Sequence, residues 1–290
     1  MPPRSSLKVF YSDRMVSDAG PSLSPSDRKP RHVSEALRLK PWPIELVAPE
    51  PAGLDDICRV HDASFVLDVL ELRRASGFGS ISASVARSLP YTSGACYGAS
   101  LAALREGISA SLSSGFHHAG PAGSRGFCTF NGLMIATARM LHGARVQRVA
   151  IVDCDYHYGD GTQAIIDALR LQDRVLHVSF GLSYKKPHQA SAYLAKMQGL
   201  RAALRSFRPD IILYQAGADT HLDDPLGGLL TSEQMRERDR IMFSTARELS
   251  IPLTWNLAGG YQIEGDGSIP RVVELHMNTF EEALAVWRLI

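Results

Sequence analysis

Three carboxylates and a histidine follow an apolar run near the middle of the chain, in the segment Asp153-Cys-Asp155-Tyr-His157-Tyr-Gly-Asp160-Gly. The run at 149–152 is apolar and mostly β-branched, which predicts a buried strand from Val149 to Asp155. In an open parallel sheet, chemistry is usually located at the carboxyl ends of the strands. Because strand side chains alternate, Asp153, Asp155 and His157 are expected on one side, where they could bind a cation. The alternative is an acidic loop that caps a helix at 161–162, a role that Asp160 could fill alone.

Three other predicted strands also lead into residues that could do chemistry. The strand at 108–112 precedes His117 and His118, the strand at 211–216 precedes Asp219, and the strand at 251–257 precedes Gly259-Gly260-Tyr261. Each feature alone has an ordinary explanation: a histidine pair in a surface loop, a turn aspartate, and a tight glycine turn. Parallel strands deliver their carboxyl ends to one edge, so the sequence predicts one site assembled from all four segments.

The expected chemistry is metal-dependent hydrolysis. Asp155, His157 and Asp219 would give a divalent cation three protein ligands and leave positions open, as in catalytic sites. Such an ion lowers the pKa of water from about 15.7 to about 7, and a nearby imidazole, His117 or His118, could take the proton. Two acids, Asp153 and Asp160, remain to orient the two histidines, and Tyr261 could donate a hydrogen bond to an oxyanion. Two oxygen ligands and one nitrogen would accept Zn²⁺, and Fe²⁺ or cobalt as well.

The remaining pattern predicts an α/β fold with a parallel sheet covered on both faces. Further strands are expected at 7–11, 44–48 and 175–180. Helices are expected at 31–39, 63–75, 94–105, 131–142, 162–171, 189–206, 232–248 and 270–287. The segment from Ser12 to Pro30, rich in Ser, Pro and Asp, is predicted to be a long surface loop.

Composition narrows the class of protein. The 290 residues with 45% hydrophobic content predict a single catalytic domain over 1–290. The net charge of +1 and the absence of a basic stripe predict no nucleic-acid partner. Four cysteines without CxxC spacing and an amino terminus unlike a signal peptide favour a cytoplasmic location. No apolar run approaches the roughly 20 residues of a membrane span, so no membrane partner is expected.

The joint set of motifs resembles the histone deacetylase superfamily, which includes the bacterial acetylpolyamine amidohydrolases. The motifs are Ser-Gly-Phe-His117-His118-Ala, Gly126-Phe127-Cys-Thr-Phe-Asn, Asp153-x-Asp155-x-His157-x-Gly-Asp160-Gly-Thr-Gln, Gly-Ala-Asp219 with Asp224-Pro-Leu-Gly, and Gly259-Gly260-Tyr261. They occur in the family's order between about residues 55 and 262. The resemblance implies the three-layer arginase/deacetylase α/β sandwich with a mostly parallel eight-stranded sheet. It also implies zinc-dependent removal of an acetyl or other acyl group from an acylated amine, such as acetyl-lysine or an acetylpolyamine.

By this resemblance, individual residues acquire roles. Asp155, His157 and Asp219 match the zinc ligands, His117 and His118 the catalytic histidine pair, Asp153 and Asp160 their orienting acids, and Tyr261 the carbonyl-polarising tyrosine. A structural potassium ion is held in the family by backbone and side-chain oxygens, at positions matched by Asp153, Asp155, His157, Ser179 and Phe180. Gly126 and Phe127 would line the acyl-lysine tunnel.

Two departures from the family pattern stand out. Tyr158 occupies the place of a second histidine in most members, which bears on the surroundings of the metal site. Most members also carry a long loop after Phe180, whereas here 181–189 leads quickly into a helix. The shorter segment predicts a more open pocket or a wall supplied by another segment, such as 12–30, and leaves the substrate open.

Two other functions remain open from the sequence. One is a binuclear manganese enzyme like the ureohydrolases, which would need further ligands where Tyr158 and Thr220 stand. The other is a non-catalytic module that binds an acylated ligand, although such a module has no need of both a water activator and an oxyanion donor. The oligomeric state is also open, a homo-oligomer included.

Overall fold

The structure is a computed structural model that describes residues 6–290. Its sheet is built from seven strands: β1 (Leu7–Phe10), β2 (Ile44–Val47), β3 (Ile108–Ser111), β4 (Val149–Asp153), β5 (Val175–Ser179), β6 (Ile211–Gln215) and β7 (Leu253–Asn256). All pairings are parallel, in the order β2-β1-β3-β7-β6-β4-β5. All seven segments predicted from the residues are confirmed. The sheet formed by residues 6–290 has seven strands and no eighth. The eight-stranded sheet implied by the resemblance is therefore wrong in its number of strands.

Helices cover both faces of the sheet. They are α1 (Lys29–Arg38), α2 (Leu54–Cys58), α3 (Ala63–Leu70), α4 (Ala83–Glu106), α5 (Gly132–His142), α6 (Asp160–Ala168), α7 (Ala190–Phe207), α8 (Ser232–Leu249) and α9 (Pro270–Val286). Ile212 and Tyr214 of β6 pack in one core with α1, α7, α8 and α9. Ile211 and Leu213 pack in the other with α3, α5 and α6. Alternate residues of β6 therefore pack in cores on opposite faces of the sheet, which gives the expected three layers of helices, sheet and helices.

Two helix predictions were inaccurate. Helix α4 begins at Ala83 rather than 94, because Ser82 caps it by accepting a hydrogen bond from the Val85 N–H and Pro90 is accommodated inside it. The short helix α2 was not predicted, and α3 ends five residues earlier than expected. No helix in residues 6–290 is long and apolar enough to span a membrane.

The prediction of a surface loop at 12–30 was wrong for its second half. In that second half, residues 24–27 are buried. The first half contains a one-turn 3-10 helix at Asp13–Met15. Burial is possible because the polar groups find internal partners: Asp27 accepts from the Ala19 N–H at 2.9 Å, and the hydroxyls of Ser26 and Ser114 lie 3.1 Å apart. The segment therefore packs beneath the loop that carries the histidine pair.

Candidate metal and hydrolase site

The carboxyl ends of β3, β4, β6 and β7 bring all the predicted polar residues to one edge of the sheet. Strand β4 ends at Asp153, two residues before the predicted end. Beyond it, Asp153 accepts from the Asp155 N–H at 3.1 Å and Asp155 accepts from the His157 N–H at 3.0 Å. Successive side-chain-to-backbone turns, rather than strand alternation, thus gather Asp153, Asp155 and His157.

Asp155, His157 and Asp219 form a compact group with metal-ligand chemistry. One ligand atom from each lies within 4.8 Å of the other two, and both carboxylates are buried. His157 Nδ1 lies 3.2 Å from Asp155 Oδ1 and 3.0 Å from Asp219 Oδ2. Burial, followed by the charge of Asp155, raises the pKa of Asp219 to about 7. Two acids side by side in a dry site resist full ionisation, so this donor set fits a divalent cation.

The histidine pair is held by Asp153 and Asp160, the two acids not assigned as zinc ligands. His117 Nδ1 lies 2.8 Å from Asp153 Oδ2, and His118 Nδ1 lies 2.6 Å from Asp160 Oδ1. Burial lowers the pKa of His117, but the charges of Asp153 and Asp155 outweigh it and raise the pKa to about 9. Burial and the neighbouring His117 charge lower the pKa of His118 to about 3. The two imidazoles therefore differ in charge.

The two histidines also differ in exposure. His117 is 2% exposed, with its Nε2 3.6 Å from Asp155 Oδ1. His118 and His157 both line an open cavity of about 440 Å³. A ligand in that cavity can reach the imidazole of His118 and the metal-type group together.

Tyr261 lies in the turn after β7, at the same edge of the sheet. Its side chain is buried, with its ring 6.2 Å from that of His157 and 5.6 Å from that of Phe127 between centroids. Asp224 accepts from the Tyr261 N–H at 2.8 Å and so fixes the turn. Burial raises the pKa of the Tyr261 phenol, which keeps it a hydrogen-bond donor.

Gly126 and Phe127 lie close to His118 and Tyr261, respectively. A Cβ on Gly126 would stand 2.5 Å from His118 Cδ2, so the backbone approaches the imidazole closely. Phe127 adopts a φ of 61°, an unfavourable value for a non-glycine residue, and packs against Tyr261. Gly126 lines the open cavity, whereas Phe127 is not among the residues that line it.

Ser179 is the last residue of β5 and Phe180 follows it, next to the end of β4. Ser179 is the register partner of Asp153, and its hydroxyl accepts from the Gly159 N–H at 3.1 Å. Phe180 is buried and begins the short 3-10 turn Phe180–Leu182. The side-chain oxygens of Asp153 and Ser179 thus belong to adjacent strand ends, which suits a cation that binds oxygen ligands.

Two buried cationic residues at this edge were missed by sequence reasoning. The Lys29 ammonium donates to the Ala258 carbonyl oxygen at 2.5 Å, and burial lowers its pKa to about 8. The Arg238 guanidinium donates to the Gly217 carbonyl oxygen at 2.8 Å and to Thr220 Oγ1 at 2.9 Å. Arg238 thereby holds the chain on both sides of Asp219, and Lys29 supports the turn before Tyr261.

The short segment after Phe180 leaves the cavity open. Its walls come from Gly181, Leu182 and Lys185 of this segment, and from Arg125, Tyr158 and Asp160 on the other sides. No residue of 12–30 is among those that line it. Of the two alternatives drawn from the sequence, the structure therefore favours the open pocket over a borrowed wall. Tyr158 lines the cavity and stacks on His177, with ring centroids 6.2 Å apart.

In a comparison with known proteins, residues 26–190 and 181–279 of the chain match the family model described as the histone deacetylase domain. The chain belongs to the histone deacetylase family. It is 30% identical over 280 residues to a probable deacetylase of Methanothermobacter thermautotrophicus, covering 82% of this chain and 80% of that one. It is 29% identical over 182 residues to acetylpolyamine amidohydrolase 1 of Pseudomonas aeruginosa, covering 52% and 50%.

The fold agrees with this assignment. The crystal structure of the HDA15 HD domain superposes with a TM-score of 0.78 at 18% identity, over 97% of this chain and 95% of that one. The arginase/deacetylase fold predicted from the motifs is thereby confirmed. For several other curated relatives, the match spans between 46% and 63% of their length.

Proposed function

We propose that this member of the histone deacetylase family is a zinc-dependent amidohydrolase that removes an acetyl or other acyl group from an acylated amine. The proposal rests on one observation: the Asp155–His157–Asp219 group borders both the His118–Asp160 pair and the buried Tyr261 phenol. A ligand binder needs no such set of polar groups. The names of its deacetylase and acetylpolyamine amidohydrolase relatives support acylated amines as the substrate class.

In this mechanism the chain's own groups handle the protons. Asp155 Oδ, His157 Nδ1 and Asp219 Oδ would hold the divalent ion, which when bound supplies a Lewis acid that polarises the amide carbonyl and acidifies water. His118, exposed to the cavity, accepts the proton of the attacking water at Nε2, while Asp160 fixes its Nδ1. Buried His117, held by Asp153, acts either as the electrostatic partner of the pair or as the acid that gives a proton to the leaving amine nitrogen when the amide C–N bond breaks. Tyr261 donates its phenolic hydrogen to the developing oxyanion.

We also propose that a structural potassium ion is held near Asp153, Asp155, His157, Ser179 and Phe180. The support is the pairing of Asp153 and Ser179 at adjacent strand ends. Gly126 and Phe127 are proposed to border the bound acyl group, because the first approaches His118 and the second packs on Tyr261.

Metal content and turnover test the function together. The purified chain, loaded separately with zinc and with ferrous iron, is assayed on an acetyl-lysine coumarin peptide and on acetylputrescine. We expect about one zinc per chain and hydrolysis that a chelator abolishes and zinc restores. Two manganese ions per chain with activity would favour the binuclear enzyme, and stoichiometric metal without turnover on any acylated amine would favour a binding module.

Gly259→Ala should lower zinc affinity without replacing a ligand side chain. The Gly259 N–H donates to Asp155 Oδ2 at 2.8 Å, and a Cβ there would stand 2.5 Å from Asp219 Cγ and 2.7 Å from Asp155 Oδ2. We expect zinc to bind about 10-fold to 100-fold more weakly, the range found when groups that orient metal ligands are altered. Competition with a chromogenic chelator measures this.

Gly265→Ala is the matched control, because a Cβ at Gly265 meets no atom within 4 Å. Its zinc affinity should equal that of the parent chain. If both alanine variants bind zinc like the parent, the close approach of Gly259 to the two carboxylates does not shape the metal site.

A further inference from the structure

The charges around the open cavity define what kind of acylated amine it accepts. Among the residues that line it, Arg125 and Lys185 are cationic and Asp160 is acidic. Asp160 is already engaged, since it holds His118 Nδ1 at 2.6 Å and forms an ion pair with Arg125. Of the two cationic residues, Lys185 therefore has no acidic partner among the residues that line the cavity.

The ammonium of Lys185 is held in place at the rim. Its Nζ donates to the Tyr156 carbonyl oxygen at 2.6 Å and lies 4.3 Å from the centroid of the Tyr156 ring. Both contacts favour the charged form and fix its position, and an ammonium with three donors keeps capacity for a further acceptor. The Tyr156 hydroxyl in turn donates to the Lys185 carbonyl oxygen at 2.8 Å, which ties the short segment to the end of β4.

The wall beside Lys185 is apolar. Leu182 lines the same cavity as Lys185, His118 and His157 and is 66% exposed, so its side chain offers aliphatic surface to a ligand there. An amide whose nitrogen carries an aliphatic chain can lie along Leu182 with the far end of the chain at Lys185. A carboxylate at that end meets an opposite charge, whereas an ammonium meets a like charge.

We propose that Lys185 selects, among acylated amines, those whose amine portion carries a carboxylate and disfavours acylated polyamines. This inference rests on the proposed amidohydrolase function. It refines the substrate class, because acylated amino acids and acylated lysine residues near acidic side chains fit such a rim, while the ammonium groups of an acetylpolyamine do not.

Three acetyl amides that share a five-carbon chain on the amide nitrogen test the proposal. They are N-acetyl-ε-aminocaproate, which ends in a carboxylate, N-pentylacetamide, which is neutral, and N-acetylcadaverine, which ends in an ammonium. For the zinc-loaded parent chain we expect kcat/KM to fall in that order, by about tenfold or more from the first to the last. A unit charge pair a few ångströms apart in water accounts for a difference of that size, and added salt should reduce it.

Charge reversal at two neighbouring lysines locates the effect. Lys185→Glu should invert the order of the three amides, whereas Lys186→Glu, the same charge change at an exposed residue outside the cavity lining, should preserve it. A flat or inverted order in the parent chain, or equal effects of the two variants, overturns the proposal.

A failure of the function itself is separable from a failure of this inference. If none of the three amides is hydrolysed, the amidohydrolase proposal fails for this substrate class. Calorimetric measurement of the binding of the same probes then tests the role of Lys185 by itself. Tighter binding of the carboxylate probe than of the ammonium probe, reversed by Lys185→Glu, supports selection by Lys185. Equal or weaker binding of the carboxylate probe refutes it.

Discussion

Asp219→Ala is expected to weaken zinc binding at least about 100-fold and to remove activity at limiting zinc, because it deletes one of three protein ligands. The side chain is fully buried, with Oδ1 accepting from the Tyr156 N–H at 3.1 Å and Oδ2 3.0 Å from His157 Nδ1. Equilibrium dialysis followed by elemental analysis measures the affinity. Zinc binding as tight as in the parent chain would show that the ligand assignment is wrong.

Asp219→Asn provides a second readout that does not depend on turnover. The asparagine keeps the shape but removes one of two adjacent buried charges. Folding raises the pKa of Asp219 from 3.8 to about 7, so its ionised form destabilises the folded metal-free chain as the pH rises through that interval. At pH 8 the metal-free Asn variant should therefore melt higher than the metal-free parent. Zinc should raise the melting temperature of the parent markedly and that of the variant little.

Asp223→Ala is the matched control in the same loop. The Asp223 side chain is 65% exposed and lies 3.8 Å from His221 Nδ1 through its Oδ2, whereas the hydrogen bonds of this residue with His221 Nδ1 and Gln262 Nε2 use its backbone N–H and carbonyl oxygen. Zinc affinity and melting behaviour should match the parent. A loss equal to that of Asp219→Ala would mean that the loop, rather than the Asp219 carboxylate, determines metal binding.

The sheet was predictable because its cause is local. Most of the strands are short runs rich in apolar residues, and the central strands β3, β4, β6 and β7 are buried on both faces, which requires helices on either side of a parallel sheet. The convergence of His118, Asp155, Asp219 and Tyr261 followed from the same rule, since parallel strands end at one edge. The end of β4 was misplaced because the carboxylates of Asp153 and Asp155 accept hydrogen bonds from the backbone N–H two residues on and so end the strand. The alternation of residue types does not reveal these bonds.

Lys29 and Arg238 show what a single sequence hides. Lys29 stands in the run Arg28-Lys29-Pro30-Arg31, and Arg238 stands among charged residues of α8. Such runs are typical of exposed surface, yet Lys29 and Arg238 are each 0% exposed. Their burial depends on partners far away in sequence: the Ala258 carbonyl oxygen for Lys29, and the Gly217 carbonyl oxygen and Thr220 for Arg238. Charge patterning along the chain carries no information about these tertiary acceptors.

Tyr261→Phe should leave zinc content unchanged and lower kcat by about 10²-fold to 10³-fold, the usual cost of removing one oxyanion donor. The substitution deletes one hydroxyl and retains the ring that packs against Phe127 and His157. The Asp224 contact with the Tyr261 N–H is a backbone contact and also remains. Because the phenol acts on charge that develops in the transition state, KM should change much less than kcat.

Tyr184→Phe is the control for this loss of a phenol. Tyr184 packs on Phe180 and Tyr193 in the short segment after β5 and is not among the residues that line the cavity. Its kcat should stay within about twofold of the parent, since no group near the carbonyl carbon is removed. Steady-state kinetics at saturating acylated amine compare the two variants. If Tyr261→Phe turns over like Tyr184→Phe, the oxyanion is stabilised elsewhere, and the Gly-Gly-Tyr turn serves to shape the metal site through Gly259 alone.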